Sequence, residues 1–351
     1  MKIELIEEAK TIISNPNSKF GYFAWPTVAL LQNGVIAVGA SGFRFEHVCP
    51  FGKAVISYSY DGGETYTNPA PVIDTPLDDR DAGICTFGEK GVIFTSFNNS
   101  ADMQRQYNED NKFVQAYIDT ITKEDEEKYL GVTFRISRDC ATTFGEIYRS
   151  PVTCPHGPTE LRDGTILWVG TDFYDYESGI KVVKFNPENC ETEFVGQIVL
   201  DDDFCVLSEP HLLELPNGKL ICQIRGERSD DSVFTVYQSV SEDGGKTWTA
   251  PEMLLDETGG SPPHMIQLRS GVIVSTYGRR KMPYGIMAMF STDGGKTWEK
   301  DVRLYENLVS DDIGYPSTIE LDDGTLLTVF YAKDGNDEAP CVIKQLKWRI
   351  L

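Results

Sequence analysis

The chain has 351 residues, and its 54 Asp and Glu outnumber its 32 Lys and Arg, which gives a formal net charge of −22 at pH 7. This charge argues against binding to nucleic acid or to anionic membranes, and no apolar run is long enough to span a bilayer. Any anionic ligand must therefore be held by a local cluster of arginines.

The amino terminus, MKIELIEEAK, carries acidic residues where a signal peptide needs its apolar core. If this is the native start, we expect a cytoplasmic protein, although a trimmed secreted form would have the same sequence. The eight cysteines lack a metal-ligand spacing, so we expect reduced thiols. No cofactor is predicted.

In chain order, six similar units follow one another. In each, an opening strand runs into a turn closed by glycine and then into a strand rich in β-branched residues, the pattern of a β-hairpin. The turn glycines are Gly34, Gly91, Gly164, Gly218, Gly271 and Gly324. Six copies of one unit predict an all-β fold, a six-bladed β-propeller that forms a single domain over residues 1–351. The terminal runs 3–13 and 341–350 are expected to complete one blade together.

The second unit is longer than the others and carries an insertion at residues 98–130. Within it, Phe113, Tyr117, Ile118 and Ile121 recur at helical spacing, and the following residues are charged. We therefore predict one amphipathic helix that either covers the pocket as a lid or forms a homo-oligomer contact.

An eight-residue frame, Ser-x-Asp-x-x-x-Thr-aromatic, occurs four times, beginning at Ser59, Ser137, Ser241 and Ser291. Its Ser and Asp side chains can accept hydrogen bonds from the backbone of their own turn. We interpret these frames as structural elements of hairpins, not as a catalytic site.

Charged and aromatic residues concentrate at the starts of the opening strands and after the second strands, positions that line one mouth of a propeller. All four histidines of the chain fall there. This distribution predicts a functional pocket. Its candidate residues are Arg44, Glu46, His47, Arg80, Asp81, His156, Glu209, His211, Arg225, His264, Arg279, Arg280, Tyr284 and Tyr315.

The four frames resemble the Asp boxes, or BNR repeats, of the sialidase (neuraminidase) superfamily. The resemblance implies a Tyr nucleophile activated by a Glu, a loop Asp as acid/base and three Arg that clamp the carboxylate of the substrate. Tyr315 resembles the nucleophile, Glu209 and Arg225 resemble the glutamate and the second arginine, and Arg279 or Arg280 resembles the third. Arg44 lies where the family often has another arginine of the active site.

Two positions depart from the family pattern. Ala24, in Phe23-Ala24-Trp25-Pro26, stands where the family has its first arginine, unless Arg80 or Arg44 reaches into the site. The loop after Arg44 offers Glu46 or His47 in place of the acid Asp. Either could protonate a leaving oxygen if its pKa is tuned near the working pH.

The resemblance predicts a sialidase-like exo-glycosidase that acts on a terminal, acidic sugar, with a carbohydrate as its partner. Tyr315 would attack the anomeric carbon, Glu209 would take the phenolic proton, and Glu46 or His47 would protonate the leaving oxygen. Arg225, Arg279 and Arg280 would hold the negative group of the sugar. Two alternatives stay open. One is a carbohydrate-binding propeller without catalysis. The other is a lyase or isomerase of a uronic acid, with a metal or proton-transfer site at His156, His211 and His264.

Overall fold

The computed structural model describes residues 1–173, 175–202, 204–306 and 308–351, with the backbone alone at 175–178. Within these ranges the strands form six antiparallel sheets, each made by one unit of the sequence, in a six-bladed propeller. The predicted all-β propeller is therefore confirmed.

Strand β1 (Ile3–Ile13) comes first in the chain but belongs to the last blade. The first blade is formed by β2 (Tyr22–Leu30), β3 (Ile36–Arg44), β4 (Lys53–Ser59) and β5 (Ala70–Ile73). The second is formed by β6 (Asp78–Phe87), β7 (Gly91–Asn99), β8 (Val132–Ser137) and β9 (Tyr148–Ser150). In the third blade the inner strand is divided, and the elements are β10 (Val152–Thr153), β11 (Thr159–Glu160), β12 (Ile166–Asp172), β13 (Asp175–Asn186) and β14 (Glu191–Ile198).

The remaining blades repeat the same order from the inner to the outer strand. The fourth contains β15 (Val206–Glu214), β16 (Leu220–Glu227), β17 (Phe234–Ser241) and β18 (Glu252–Met253). The fifth contains β19 (Pro263–Gln267), β20 (Ile273–Arg279), β21 (Gly285–Ser291) and β22 (Glu299–Glu306). The sixth contains β23 (Gly314–Glu320), β24 (Leu326–Lys333), β25 (Cys341–Ile350) and, outermost, β1.

The two ends of the chain close the ring. Strand β1 pairs antiparallel with β25, from Ile3 opposite Ile350 to Ile13 opposite Ile343. The sixth blade thus combines the first strand of the chain with its last three, as the sequence predicts. The pairing of β1 with β25 thus joins the first strand of the chain to the last blade and fastens the ring.

The insertion contains three short helices, where the sequence had predicted one. They are α1 (Ala101–Tyr107), α2 (Lys112–Ile118) and α3 (Lys123–Tyr129). The predicted helical insertion in the second blade is confirmed, but the helix is divided, because Thr122 and Asp125 form a capping box that starts α3 just after α2 has ended. The insertion packs against the first blade, where the rings of Tyr117 and Phe51 lie 4.6 Å apart. Its role as a lid or as an oligomer contact stays a prediction.

The repeated frames form the turns that the sequence predicts. In the third, the Ser241 hydroxyl accepts a hydrogen bond from the Gly245 amide at 2.9 Å. The Asp243 carboxylate accepts bonds from the amides of Lys246 and Thr247 and from the Thr247 hydroxyl at 3.1, 3.0 and 2.7 Å. These bonds, with the Thr247 amide contributing most, lower the pKa of Asp243 to about 2. The frames therefore hold hairpins together far from the mouth.

No helix among the described residues has the length and apolar character needed to cross a membrane.

Candidate active site

Four inner strands share one backbone irregularity near the mouth. Each register with the second strand is interrupted by a bulge, and the bulged residue takes a left-handed conformation. These residues are Trp25 (φ 53°), Asp81 (φ 43°), Glu209 (φ 50°) and Tyr315 (φ 48°). Such a conformation is costly for residues other than glycine and is found mostly where it directs a side chain into a functional site.

Two of these residues meet directly. The Tyr315 hydroxyl donates a hydrogen bond of 2.5 Å to Oε1 of Glu209, and Nη1 of Arg225 donates to Oε2 at 2.9 Å. Tyr315 is only 4% exposed, and this burial, followed by the charges of Glu209 and Asp81, raises its pKa well above the ordinary value. The phenol is therefore neutral at pH 7, and Glu209 is placed to take its proton during a reaction.

Of the two adjacent arginines, Arg280 joins this cluster. Its guanidinium carbon lies 5.7 Å from the centre of the Tyr315 ring, and Nη2 donates to the Tyr331 hydroxyl at 3.2 Å. The charge of Arg279 acts instead on Tyr277, whose pKa is raised mainly by burial and lowered by this arginine. Arg279 is the last residue of β20 and Arg280 follows it outside the strand, where its side chain turns toward the cluster.

Phe234 was not among the sequence candidates, yet its ring is shared by both arginines of the cluster. It lies 4.7 Å from the guanidinium carbon of Arg225 and 5.3 Å from that of Arg280. These distances suit cation–π contact. The phenylalanine starts β17, and no polar signal marks it in the sequence.

Arg44 is placed differently from the sequence expectation. Its side chain is completely buried, and Nη1 contacts Oδ1 of Asp78 at 2.5 Å and the Ser41 hydroxyl at 2.9 Å. Nη2 donates to the backbone oxygen of His47 at 2.8 Å. Arg44 therefore lies beneath the mouth, where its charge is neutralised by Asp78, and this position does not support the predicted contact with substrate.

Trp25 covers the region where the first arginine of the clamp was missing. Ala24 itself is fully buried, and the Trp25 ring lies 4.9 Å from the guanidinium carbon of Arg44 and 4.1 Å from that of Arg80. Arg80 is 8% exposed and donates to the His47 backbone oxygen at 2.9 Å. Neither arginine replaces the missing fork next to Tyr315.

The two acid candidates of the loop, Glu46 and His47, differ in the hydrogen bonds that hold their side chains. The Glu46 side chain is exposed, and no described residue hydrogen-bonds to its carboxylate. The Nδ1 atom of His47 lies 3.2 Å from Oδ1 of Asp312 and 3.1 Å from the Tyr22 hydroxyl. Burial lowers the pKa of His47, while its bond to Asp312 opposes that shift. Asp312 was missed because only its position just before an inner strand pointed to the mouth.

Comparison with known proteins identifies the family of this chain. Residues 131–328, more than half of the chain, match the family model described as a BNR repeat-like domain. The chain belongs to this family. With its six blades, it is a BNR-repeat propeller, as its Asp boxes predict.

Solved structures share the fold of this BNR-repeat propeller over nearly its whole length. A protein of unknown function from Dyadobacter fermentans has a TM-score of 0.78 at 20% identity, with 99% of both chains covered. The NanB sialidase of Streptococcus pneumoniae has a TM-score of 0.69 at 12% identity, over 97% of this chain and 70% of that one. An α-L-arabinanase of Penicillium chrysogenum has a TM-score of 0.65 at 14% identity, over 97% and 98%. The fold is thus glycosidase-like. No protein of curated function matches the sequence.

The three histidines of the inner strands come together beneath Tyr315 instead of lining the mouth of the propeller. The His156 ring lies 6.5 Å from Tyr315, and it lies 4.9 Å from His264 and 5.7 Å from His211. His211 and His264 face an axial channel of about 480 Å³ on the far side of the ring. The expected substrate contacts of these histidines are therefore not supported by their position.

The hydrogen bonds of the histidines also disfavour a metal. Nδ1 of His211 accepts from the Met265 amide at 3.1 Å, and Nδ1 of His264 accepts from the Thr318 amide at 3.3 Å. A neutral imidazole that accepts at Nδ1 carries its proton on Nε2, so neither nitrogen is a free ligand. Burial lowers the pKa of all three, to about 4 for His211. Among the described residues, no group of three or more His, Cys, Asp or Glu could hold a metal ion.

Tyr284 also lies away from the Tyr315 cluster. It is half-buried and packs against the apolar cluster between the fifth and sixth blades, which contains Phe290, Phe330 and Trp348. The predicted role of Tyr284 in substrate binding is therefore not supported by its position. The remaining candidate, Asp81, lies on β6, the inner strand of the second blade, and is 6% exposed.

Asp81 should make stability depend on pH. Burial, followed by the charge of Glu209, raises the pKa of Asp81 to about 7. This pKa exceeds that of an unfolded Asp, about 3.9. The contribution of Asp81 to the free energy of unfolding is therefore fully present below pH 4 and is lost as the pH rises from 4 to 7. We expect the free energy of unfolding of Asp81→Asn, relative to that of the wild type, to be roughly 2–3 kcal/mol higher at pH 8 than at pH 5. Urea unfolding of both proteins at the two pH values measures this gain, and an equal difference at both values would contradict it.

Proposed function

We propose that this propeller is a glycoside hydrolase of sialidase type that removes a terminal, acidic sugar through a covalent intermediate on Tyr315. The observation that carries the proposal is the 2.5 Å hydrogen bond from Tyr315 to Glu209, flanked by Arg225 and Arg280. A phenol is a poor nucleophile near neutral pH until a carboxylate takes its proton. A Tyr nucleophile is an established exception to the two-carboxylate scheme of glycosidases.

In the first step, the Tyr315 oxygen bonds to the anomeric carbon while its proton passes to Glu209. The bond from that carbon to the leaving oxygen breaks, and an acid at the mouth protonates the oxygen. In the second step, water attacks the anomeric carbon and gives its proton to the group that protonated the leaving oxygen, while the tyrosyl–sugar bond breaks and Glu209 returns its proton to Tyr315. Each step leaves the protein ready for the next, without an outside oxidant or reductant.

The charge distribution supports an acidic sugar. The protein carries a net charge of −22, yet two arginines adjoin the Tyr315 ring and share Phe234. Arg225 is partly neutralised by Glu209 and Glu227, whereas Arg280 contacts a phenol and a backbone oxygen. Arg280 is therefore the group best able to pair with a substrate carboxylate.

The first test is the release of aglycone from aryl glycosides by the purified protein. The panel contains an aryl α-sialoside, aryl uronides and a neutral aryl α-L-arabinofuranoside. Turnover of an acidic substrate supports the proposal, and turnover of the neutral one alone would overturn the assigned substrate class. Binding of a sugar without turnover of any substrate would favour the carbohydrate-binding alternative, for which the missing arginine at Ala24 is the specific observation.

The pair Arg279 and Arg280 supplies an internal control. We expect Arg280→Met to raise KM for the acidic substrate by about 10²-fold, since a charge-assisted bond to the substrate is lost. Arg279→Met should leave KM within about twofold, because its charge acts on Tyr277 and not on Tyr315. Steady-state kinetics of both variants on the same substrate measures the effect. Equal losses in the two variants would contradict the assignment of Arg280.

A further inference from the structure

We propose that His47, held by Asp312, is the acid/base of this site and that the leaving group occupies the cavity beside it. This inference rests on the proposed glycosidase function and assigns its missing proton donor. It also makes Asp312 a positioning residue, since it acts through the histidine.

The hydrogen bonds fix the proton of the histidine. Nδ1 of His47 lies within reach of Oδ1 of Asp312 and of the Tyr22 hydroxyl. An ionised carboxylate only accepts, and the Tyr22 hydroxyl is directed at both oxygens of Asp312 at 3.0 Å. Nδ1 must therefore carry the proton, and Nε2 is left to receive or donate one.

Asp312 is built to stay ionised and fixed. Burial would raise its pKa, but the bond and charge of His47, with bonds from Cys341 and Tyr22, hold that pKa well below its usual range. The Tyr331 hydroxyl also donates to Oδ1 at 3.2 Å. A carboxylate held by several donors orients its histidine more strictly than a free side chain would.

The pair is connected to the residues that bind the sugar. Arg280 donates to the Tyr331 hydroxyl, which donates to Asp312. The Tyr331 ring lies 6.1 Å from Tyr315, and it lies 6.1 Å from Trp25, whose ring is 5.0 Å from His47. The histidine thus lies at the rim of the same site, between the first and sixth blades.

A cavity on the outer side of this rim provides space for the leaving group. It has a volume of about 360 Å³ and is lined in part by Lys19, Glu46, His47, Asp312 and Lys333. This volume is within the range of small-molecule sites. Two lysines and two acidic residues offer hydrogen bonds to the hydroxyls of a second sugar. Glu46 shares the cavity, but no described residue fixes its carboxylate.

The proposed reaction requires one proton to leave and return to Nε2 of His47. Protonated His47 donates from Nε2 to the leaving oxygen as the glycosidic bond breaks, and the neutral ring takes a proton from the water that attacks in the second step. The groups that face the ring are Tyr22, Arg44, Arg80 and Asp312, and Lys333 lies 4.0 Å from Asp312. Burial and the two arginines lower the pKa of His47, so we expect activity to fall as pH rises through that pKa.

The proton position can be measured without any substrate. The chain has four histidines, and His47→Gln identifies the ring signals of the exposed one by its absence in a long-range ¹H–¹⁵N spectrum. We expect neutral His47 to be protonated at Nδ1 in the wild type and predominantly at Nε2 in Asp312→Asn. Asp311→Asn, a change at the exposed neighbouring carboxylate, should leave the spectrum as in the wild type. Nε2 protonation in the wild type would overturn the proposal.

The catalytic role is tested by varying the leaving group. On a substrate with an alkyl leaving group, His47→Gln and Asp312→Asn should lose about 10²-fold or more in kcat, whereas with a nitrophenyl group they should lose less than about tenfold. Tyr315→Phe should lose activity with both. Equal losses of His47→Gln with both leaving groups would refute the acid role. If the wild type turns over no glycoside, the proposed function fails and the acid role with it, while the spectrum still decides the His47–Asp312 pairing.

Discussion

Tyr315→Phe is expected to lower kcat on an accepted aryl glycoside by about 10³-fold or more while KM changes little. The substitution removes the one oxygen that Glu209 can activate, at 2.5 Å, and leaves both arginines of the cluster in place. Pre-steady-state measurement should also lose any burst of aglycone, because no sugar can accumulate on residue 315.

A buried tyrosine elsewhere serves as the control. Tyr277 is fully buried, its hydroxyl has no hydrogen-bond partner among the described residues, and it lies on the second strand of the fifth blade. Tyr277→Phe should therefore keep activity within about twofold. If Tyr315→Phe also retained turnover, the nucleophile would have to be another group, and the proposed mechanism would be wrong.

The fold could be predicted from the sequence because the same signal occurs many times. Six glycine-closed turns, four Asp boxes and the matching terminal strands each indicated the propeller, and an error in one unit would not have changed the result. The insertion is not repeated, and there the sequence predicted a helical segment but not its division into three helices. The Thr122 and Asp125 pair, spaced as a capping box, was the signal that could have divided it.

The site could be predicted only in part, because it depends on register at single residues. Tyr315, Glu209 and Arg225 fall in one cluster, as the resemblance to the sialidase family implied. The choice between Arg279 and Arg280 could not be made from sequence, because the two are neighbours at the end of β20 and the sequence does not show which side chain turns toward Tyr315. His156, His211 and His264 were correctly grouped, but the sequence does not show whether a ring lies above or below its neighbours.

Asp312, Tyr22 and Tyr331 were missed for a related reason. They come from three separated segments, and only the packing of the sixth blade against the first brings their oxygens together. Their identities suit many structural roles, so no local pattern distinguishes them. A resemblance to a family does not help, because the family pattern has an Asp where this loop offers His47.

Arg44→Met is expected to lower the free energy of unfolding by about 3–5 kcal/mol, the largest effect we predict on stability. Arg44 and Asp78 are both fully buried, and removal of this cation leaves the Asp78 carboxylate in the interior with Gln104 at 2.6 Å and the longer ion pair to Arg80 at 3.6 Å. Urea denaturation measures the change.

Arg303→Met is the control that separates the effect of burial from the loss of an ion pair. Arg303 pairs with Glu306 at 2.9 Å, but both side chains are about half exposed, and we expect a loss below about 0.5 kcal/mol. Asp78→Asn combined with Arg44→Met should recover part of the loss, since the uncompensated charge is then gone. Equal stability of Arg44→Met and the wild type would contradict the prediction and would show that Arg80 suffices as the partner of Asp78.

Arg44 also links stability to the mouth. Its Nη2 donates to the backbone oxygen of His47, and Asp78 accepts from Gln104 of the insertion, so one buried pair fastens both the His47 loop and α1. Loss of activity in Arg44→Met would therefore follow from displacement of His47, and it should appear as a lower kcat with unchanged KM. An arginine that matches a family position by spacing can thus serve the site from below, through the loop that it holds.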